Sequence, residues 1–237
     1  MKPKRIILIR HGESEGNVDR VVYNQKPDYA LLLSQKGMQQ AAAAGIQLRE
    51  LVKEETLQYY ISPLFRTVQT FRQIAKAFTE DQYRWQEEPR LREQEWGHLR
   101  SLEQCISVDK ERDEYGTFYF RIPDGESAAD VYDRVSDVFN TLFRDFEKPS
   151  FADNAVMVTH GMTIRLFLMR WFHYTVAEFE QLANPNNCDI IVMALQESGK
   201  YKLITPLQRR RTSHAWILDE SSDNSKTQPP MTLSTSL

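Results

Sequence analysis

Two arginines and two histidines stand in three short segments whose residue types could do phosphoryl chemistry. Arg10 and His11 are adjacent in the segment ILIRHGESEGN, Arg66 lies in SPLFRT, and His160 lies in VTHG. Guanidinium groups match phosphate oxygens with paired hydrogen bonds, and a neutral imidazole can act as a nucleophile. If the fold brings the four side chains together, they form an anion pocket.

Three apolar runs must position these side chains, and each run stops at a polar or charged residue. The runs KRIILI (4–9), LQYYI (57–61) and AVMVT (155–159) are predicted as buried strands. Helical spacing follows them in three segments, which start after Ser34, at about Leu64 and at about Met162. Alternating strands and helices predict an α/β fold, a three-layer sandwich in which helices flank a mostly parallel central sheet on both faces. Ligands bind beyond the carboxyl ends of strands in such sheets.

The rest of the chain completes one domain, which we expect to span residues 1–218. Residues 80–126 are charged and aromatic with weak periodicity, and they predict an irregular or helical insertion near the site. The Ser127–Asp130 pattern predicts a helix start with a capping box, and residues 189–195 and 200–205 predict two late strands. Residues 219–237 are rich in Ser, Thr, Asp and Pro, which is typical of a disordered tail.

Composition excludes several classes of protein. Hydrophobic residues make up 41% and charged residues 27% of the 237 residues, as in ordinary globular proteins. The net charge of −3 argues against a nucleic-acid partner, and no apolar run approaches the length of a membrane helix. The sequence has two cysteines, Cys105 and Cys188, so a reducing, cytoplasmic location is expected. Their surroundings lack the Cys-x5-Arg spacing of thiol phosphatases. No spacing of metal ligands is present, so neither a metal nor another cofactor is expected.

The motifs RHGESEGN, SPLFRT, LREQEWG, PDGES and VTHG, in this order, resemble those of the histidine phosphatase superfamily, the phosphoglycerate-mutase-like proteins. The resemblance runs from Arg5 to about Thr205. It implies that His11 attacks phosphorus and forms a phosphohistidine, which water then hydrolyses. The residues that it assigns to catalysis are His11, Glu93 and His160. The residues that it assigns to the phosphate pocket are Arg10, Asn17, Arg66, His160 and Gly161.

The proton donor to the leaving oxygen is assigned by the spacing within LREQEWG. The resemblance aligns the acid of the family with Glu93, by its distance from Gly97. Glu95 stays the competitor, because residues two apart in an extended segment share a face.

Two other functions remain open beside a phosphomonoester phosphatase. A phosphoglycerate-mutase-type phosphotransferase would use the same pocket. Family mutases, however, usually carry Ala-His-Gly-Asn-Ser at the second histidine, where this chain has THGMT. A non-catalytic, phosphate-recognising interaction module is the second alternative, although His11, Arg66 and His160 are all retained. We expect a phosphorylated small molecule as substrate, with a phosphoprotein as an open alternative, and the sequence predicts no oligomeric state.

Substrate choice is expected to lie with residues 18–33 and 98–122, which would partly cover the pocket. The candidate contacts to the organic part of the substrate are Arg20, Tyr23, Lys26, Arg100, Arg112, Tyr115, Tyr119 and Arg121.

Overall fold

The computed structural model describes residues 2–97 and 101–209, and within these residues six strands form a single sheet. The strands lie in the order β3-β2-β4-β1-β5-β6. Their bounds are Arg5–Arg10 (β1), Leu57–Ile61 (β2), Tyr83–Glu87 (β3), Asn154–Thr159 (β4), Ile190–Leu195 (β5) and Tyr201–Leu203 (β6). β1 to β4 pair in parallel, whereas β5 and β6 are antiparallel to their neighbours. The mostly parallel α/β sheet predicted from the sequence is thereby confirmed.

Helices cover both faces of the sheet. α2 (Gln35–Val52) and α3 (Phe65–Ala75) pack on one face, and α5 (Ala128–Phe146) and α6 (Gly161–Phe172) pack on the other. The shorter or peripheral helices are α1 (Glu15–Val18), α4 (Leu102–Tyr115) and α7 (Val176–Glu180). Short 3₁₀ turns cover Arg20–Asn24, Asp28–Ala30 and Pro89–Leu91.

The central strands are apolar on both sides because each side meets a helical layer. In β1, Ile6 and Leu8 belong to the core beneath α5 and α6, whereas Ile7 and Ile9 belong to the core beneath α2 and α3. All four side chains are fully buried. Burying aliphatic side chains of this size stabilises the fold by about 1.5–3 kcal/mol each.

Two predicted helix starts are confirmed by their caps. The Ser34 hydroxyl accepts a hydrogen bond from the Gly37 amide at 3.0 Å. Ser127 and Asp130 form a capping box, in which the Asp130 carboxylate accepts from the Ser127 amide at 2.7 Å. Side chains that satisfy the first amides of a helix fix where that helix begins.

The segment 80–126 contains more regular structure than its weak periodicity indicated. β3 lies at the sheet edge and is mostly exposed, so its charged sequence YRWQE carries no apolar run. α4 is 14 residues long, with Val108 as its buried residue, so it has no apolar stripe. The predicted tail, residues 219–237, lies outside the described residues.

None of the helices in residues 2–97 and 101–209 combines the length and apolar character that crossing a bilayer requires.

Candidate active site

Three neighbouring strand ends bring the predicted histidines together. β1 and β4 pair in parallel with Arg10 opposite Thr159, so His11 and His160 occupy equivalent positions just beyond the two strands. Their ring centroids lie 5.1 Å apart, with the ring planes inclined by 60°. β2 lies on the other side of β4, and Ser62, which follows β2, is hydrogen-bonded through Oγ to Nε2 of His160 at 2.8 Å. The sheet therefore gathers these side chains at one edge.

The His11 ring is oriented by its own loop. Nδ1 lies 2.7 Å from the carbonyl oxygen of Gly12. Because a carbonyl can only accept, Nδ1 carries the proton in this contact, and the lone pair of a neutral ring is on Nε2. Burial, and then the positive charges of Arg66 and Arg10, hold the pKa of His11 well below its ordinary value. The ring is therefore neutral at neutral pH, as a nitrogen nucleophile requires.

Two glycines let the loop after β1 lie directly against the start of α2. A Cβ atom on Gly12 would come within 2.5 Å of the Gly37 carbonyl oxygen, and one on Gly37 within 2.0 Å of the Glu13 carbonyl oxygen. The Gly12 amide donates to Thr70 Oγ1 at 3.0 Å, which ties the same loop to α3. The backbone that orients His11 is thus held by close packing and by a buried hydrogen bond.

Arg10 and Arg66 reach the site from different elements. Arg10 donates to the carbonyl oxygen of Pro185 at 2.6 Å, and its buried Nε has no hydrogen-bond partner in the described part of the chain. Arg66, in the first turn of α3, donates to the Asp28 carbonyl oxygen at 2.8 Å and lies 3.0 Å from its carboxylate. Burial lowers the pKa of Arg10, while Glu93 and Asp189 oppose that shift; arginine stays charged at any ordinary pH.

Asn17 stands beside His11 at the end of the short helix α1. Its side-chain oxygen accepts hydrogen bonds from the Ser14 amide at 3.2 Å and from Asn187 Nδ2 at 3.1 Å. Asn187 also donates to the His11 carbonyl oxygen at 2.9 Å. These bonds fix the orientation of the Asn17 side chain, and its amide nitrogen can then donate to a ligand.

Glu93 is held near the two arginines by bonds to the neighbouring backbone. Arg134 donates from Nη2 to the Glu93 carbonyl oxygen at 3.0 Å and from Nη1 to that of Arg92 at 2.9 Å. Thr163 donates to the Arg92 carbonyl oxygen at 2.9 Å. Burial raises the pKa of the Glu93 carboxyl above its ordinary value, although the Gln94 amide, Arg66 and Arg10 act in the opposite direction. The protonated acid therefore persists to a higher pH than in an exposed glutamate.

Two adjoining cavities lie over these residues. The inner cavity has a volume of about 190 Å³ and the outer cavity about 840 Å³. The inner cavity is lined by Arg10, His11, Ser14, Gly16, Asn17, Arg20, Tyr23, Asp28, Arg66, Glu93, Trp96, Cys105 and Asn184. Glu93 also lines the outer cavity, whereas the exposed Glu95 lines the outer cavity alone.

Not every predicted site residue lies on the cavity wall. Arg10, His11, Asn17, Arg66 and Glu93 do, and the structure brings these five together. The fully buried His160 instead packs against the His11 ring.

Gly161, at the start of α6, packs against Asn184, which itself lines the inner cavity. The phosphate-binding roles of His160 and Gly161 stay predictions.

Some of the residues expected to contact the organic part of the substrate line a cavity, and others do not. Arg20, Tyr23 and Lys26 line one or both cavities, whereas Arg121 pairs with Asp130 at 2.7 Å outside them. Arg112 lies over the Trp96 ring at 5.1 Å. Tyr115 and Tyr119 line neither cavity, and Arg100 lies outside the described residues.

Sequence reasoning missed Asp28 and Asn187. Asp28 holds Arg66, which is 38 residues away, and Asn187 lies 176 residues from His11. Asp28 falls within residues 18–33, which are expected to cover the pocket, but no pattern there singles it out, and Asn187 stands in no motif. In the part of the chain that the structure describes, no cluster of three or more His, Cys, Asp or Glu side chains could hold a metal ion.

Comparison with known proteins agrees with this geometry. The protein is 43% identical to the phosphoglycerate mutase-like protein AT74 of Arabidopsis thaliana, over 85% of this chain and 68% of that protein. It is 30% identical to the broad-range acid phosphatase DET1 of Saccharomyces cerevisiae, over 88% of this chain and 90% of that protein. A solved mycobacterial glucosyl-3-phosphoglycerate phosphatase, 22% identical, superposes with a TM-score of 0.68 over 86% of this chain and 99% of its own.

These relatives support a hydrolase of the histidine-phosphatase type. The family model for the histidine phosphatase superfamily (branch 1) matches residues 6–204. That range contains the adjoining strand ends, the paired histidines, and Arg10 and Arg66 of the inner cavity, and the protein belongs to the histidine phosphatase superfamily.

Proposed function

We propose that the protein hydrolyses phosphomonoesters of small molecules through a phosphohistidine on His11, with Glu93 as the proton donor. The observation that carries the proposal is the oriented, neutral His11 ring. Its Nδ1 proton is held by the Gly12 carbonyl oxygen at 2.7 Å, while the ring lines a cavity together with Arg10, Arg66 and Glu93. No metal or other cofactor takes part in the proposed reaction.

In the first step, Nε2 of His11 attacks phosphorus as the bond from phosphorus to the ester oxygen breaks. Glu93 gives its proton to the departing oxygen, so that a neutral alcohol leaves and Glu93 becomes a carboxylate. Negative charge spreads over the three remaining phosphoryl oxygens in the transition state. Arg10 and Arg66 are charged donors along the wall that can bind those oxygens, and the amide of Asn17 adds a neutral donor.

In the second step, water replaces the alcohol. The Glu93 carboxylate takes a proton from the water as its oxygen attacks phosphorus, and the bond from His11 to phosphorus breaks. The acid form of Glu93 is thereby restored and inorganic phosphate is released. A residue that alternates between acid and base in this way needs a pKa near the working pH, and the raised pKa of Glu93 supports that role.

Glu93 is favoured over Glu95 by its place in the cavities. The donor must reach the oxygen that joins phosphorus to the leaving group. Glu93 lines both the inner and the outer cavity, whereas Glu95 lines the outer one alone.

The buried His160 is assigned a supporting donor role. Its Nε2 is held by Ser62 and its buried Nδ1 has no hydrogen-bond partner in residues 2–97 and 101–209. If Ser62 donates to Nε2, the unpartnered Nδ1 carries a proton that a phosphoryl oxygen can accept.

The test is hydrolysis of 4-nitrophenyl phosphate by the wild type, His11→Ala and His173→Asn. His173 is an exposed histidine at the end of α6, so its variant controls for the loss of a histidine elsewhere. We expect activity in the wild type and in His173→Asn, and its loss in His11→Ala. Retained activity in His11→Ala contradicts the proposed nucleophile, and absence of activity in the wild type contradicts the enzyme.

A mutase is distinguished by its product. The phosphoglycerate mutase-like relatives make this the second candidate. Any product formed from 3-phosphoglycerate should be inorganic phosphate and glycerate. Accumulation of 2-phosphoglycerate would favour the phosphotransferase.

A further inference from the structure

The outer cavity is the space into which the leaving group of a bound phosphomonoester must extend. It adjoins the inner cavity through four shared residues: Tyr23, Asp28, Glu93 and Trp96. When the ester oxygen lies beside Glu93, the phosphoryl group lies in the inner cavity with Arg10 and Arg66. The organic group then extends into the outer cavity. The outer cavity, at about 840 Å³, has room for a ring system, whereas the inner cavity of about 190 Å³ suits the phosphoryl group.

The two cavities differ in charge. The arginines of the inner cavity serve the phosphoryl group. Among the described residues, the outer cavity is lined by four carboxyl groups and by two cations. The carboxyl groups belong to Asp28, Glu93, Glu95 and Asp124, and the cations are Lys26 and Arg92.

Both cations of the outer cavity are already paired with carboxylates. Lys26 lies 2.7 Å from Glu15, and Arg92 lies 2.6 Å from Glu126. In contrast, the side chains of Glu95 and Asp124 make no ion pair within the described part of the chain, and both are exposed. A second anionic group on the substrate would meet these carboxylates without a free cation among the described residues to receive it.

Aromatic rings supply the apolar part of the same cavity. Tyr23, Tyr29 and Trp96 line it, and the Arg112 guanidinium lies over the Trp96 ring at 5.1 Å. Aromatic side chains bind the flat apolar faces of rings, and such contacts contribute about 0.5–1.5 kcal/mol beyond buried area. The wall therefore favours a ring-bearing organic group.

We propose that the outer cavity is a leaving-group subsite that selects an uncharged, ring-bearing alcohol and disfavours one that carries a second anionic group. The inference rests on the proposed function and adds to it a substrate class. It favours phosphomonoesters of neutral ring alcohols, such as sugars, nucleosides or benzylic alcohols. It disfavours phosphorylated carboxylic acids and bisphosphates.

The test uses three phosphomonoesters with similar alkoxide leaving groups: ethyl phosphate, benzyl phosphate and 4-carboxybenzyl phosphate. We expect kcat/KM for benzyl phosphate to exceed that for ethyl phosphate by about tenfold, because a ring contacts the aromatic wall. We expect the carboxylate to lower kcat/KM by about fivefold relative to benzyl phosphate at low salt, since exposed charges interact weakly.

Two variants test which carboxylates cause the preference for benzyl over 4-carboxybenzyl phosphate. In Glu95→Gln/Asp124→Asn, the ratio of kcat/KM for benzyl to 4-carboxybenzyl phosphate should fall toward one. Asp133→Asn is the matched control, because it removes an exposed carboxylate on α5 that lines neither cavity, and it should leave that ratio unchanged.

Three results overturn the inference while leaving the proposed function intact. They are equal kcat/KM for benzyl and ethyl phosphate, equal or better use of 4-carboxybenzyl phosphate, and the same ratio in the double variant as in the control. If the wild type hydrolyses neither the three esters nor 4-nitrophenyl phosphate, the proposed function itself fails and the inference fails with it.

Discussion

The imidazole of His160 lies between the hydroxyl of Ser62 and the ring of His11, so that one buried hydrogen bond and one ring contact join three strand ends. Nε2 of His160 lies 2.8 Å from Ser62 Oγ, and the His160 ring centroid lies 5.1 Å from that of His11. Both Ser62 and His160 are fully buried. The orientation of His160 therefore depends on a side chain that lies outside the two cavities.

Ser62→Ala should weaken both the fold and the reaction. The substitution leaves a buried imidazole nitrogen without a partner, which costs about 1–3 kcal/mol of unfolding free energy. We also expect kcat for 4-nitrophenyl phosphate to fall about tenfold, because the tautomer of His160 is no longer fixed. Urea unfolding and steady-state kinetics measure the two effects. A kcat equal to that of the wild type would show that the Ser62 contact does not serve the reaction.

The dependence of kcat/KM on pH should be bell-shaped, with His11 setting the acid side and Glu93 the alkaline side. Burial lowers the pKa of His11, so its neutral form persists well below pH 6.5 and is lost only as the pH falls further. Burial raises the pKa of Glu93, so its protonated form persists above pH 4.5 and is lost as the pH rises. Activity needs both forms and should decline on each side.

Glu93→Gln should flatten the alkaline side of that profile. Ionisation of the substrate is common to the wild type and the variant, so the ratio of their kcat/KM values isolates Glu93. A ratio that does not change with pH would remove Glu93 from the acid role.

The role of Glu93 as acid should also appear as a dependence on the leaving group. A benzyl alkoxide needs a proton much more than a 4-nitrophenolate does. Glu93→Gln should therefore reduce kcat/KM, which reports the first step alone, by about 100-fold or more for benzyl phosphate, within the usual range of general acid catalysis, and reduce it far less for 4-nitrophenyl phosphate.

Glu95→Gln is the matched control for this experiment, because it makes the same chemical change two residues away. It should leave the ratio of kcat/KM for benzyl phosphate to kcat/KM for 4-nitrophenyl phosphate as in the wild type. If Glu95→Gln and not Glu93→Gln changes that ratio, the proton donor is Glu95.

Gly37→Ala should disturb the nucleophile from a distance. A Cβ atom at this position would lie 2.0 Å from the Glu13 carbonyl oxygen, so the loop after β1 must move. We expect a loss of about 1–3 kcal/mol of stability, as for other overpacked sites, together with reduced kcat. Gln39→Ala, on the exposed side of the same helix, is the control. Equal melting temperature and activity in the two variants would show that the close approach is not needed.

The parts of the fold that could be predicted from sequence are those with a local pattern. β1, β2 and β4 are continuous apolar runs because helices cover both faces, and their bounds were predicted to within a residue. β3 was missed because an exposed edge strand needs no apolar side chains, and its place in the sheet comes from pairing with β2.

The site residues follow the same rule: those with a local sequence pattern could be predicted, and those without one could not. Arg10, His11 and His160 follow predicted strands directly, so the rule that ligands bind at strand ends locates them. Glu93 has no such local pattern, and its assignment depended on the resemblance of LREQEWG to the family motif. Asp28, which holds Arg66, could not be predicted, because the two residues meet only through the tertiary fold.

Chemical trapping of the phosphorylated enzyme tests the central claim most directly. The wild type is mixed with excess 4-nitrophenyl phosphate, quenched under alkaline conditions that preserve phosphohistidine, and digested for mass spectrometry. We predict a phosphoryl group on His11 that forms at least as fast as the enzyme turns over. It should be absent from His11→Ala. A phosphoryl group on another residue, or full turnover by His11→Ala, would contradict the account.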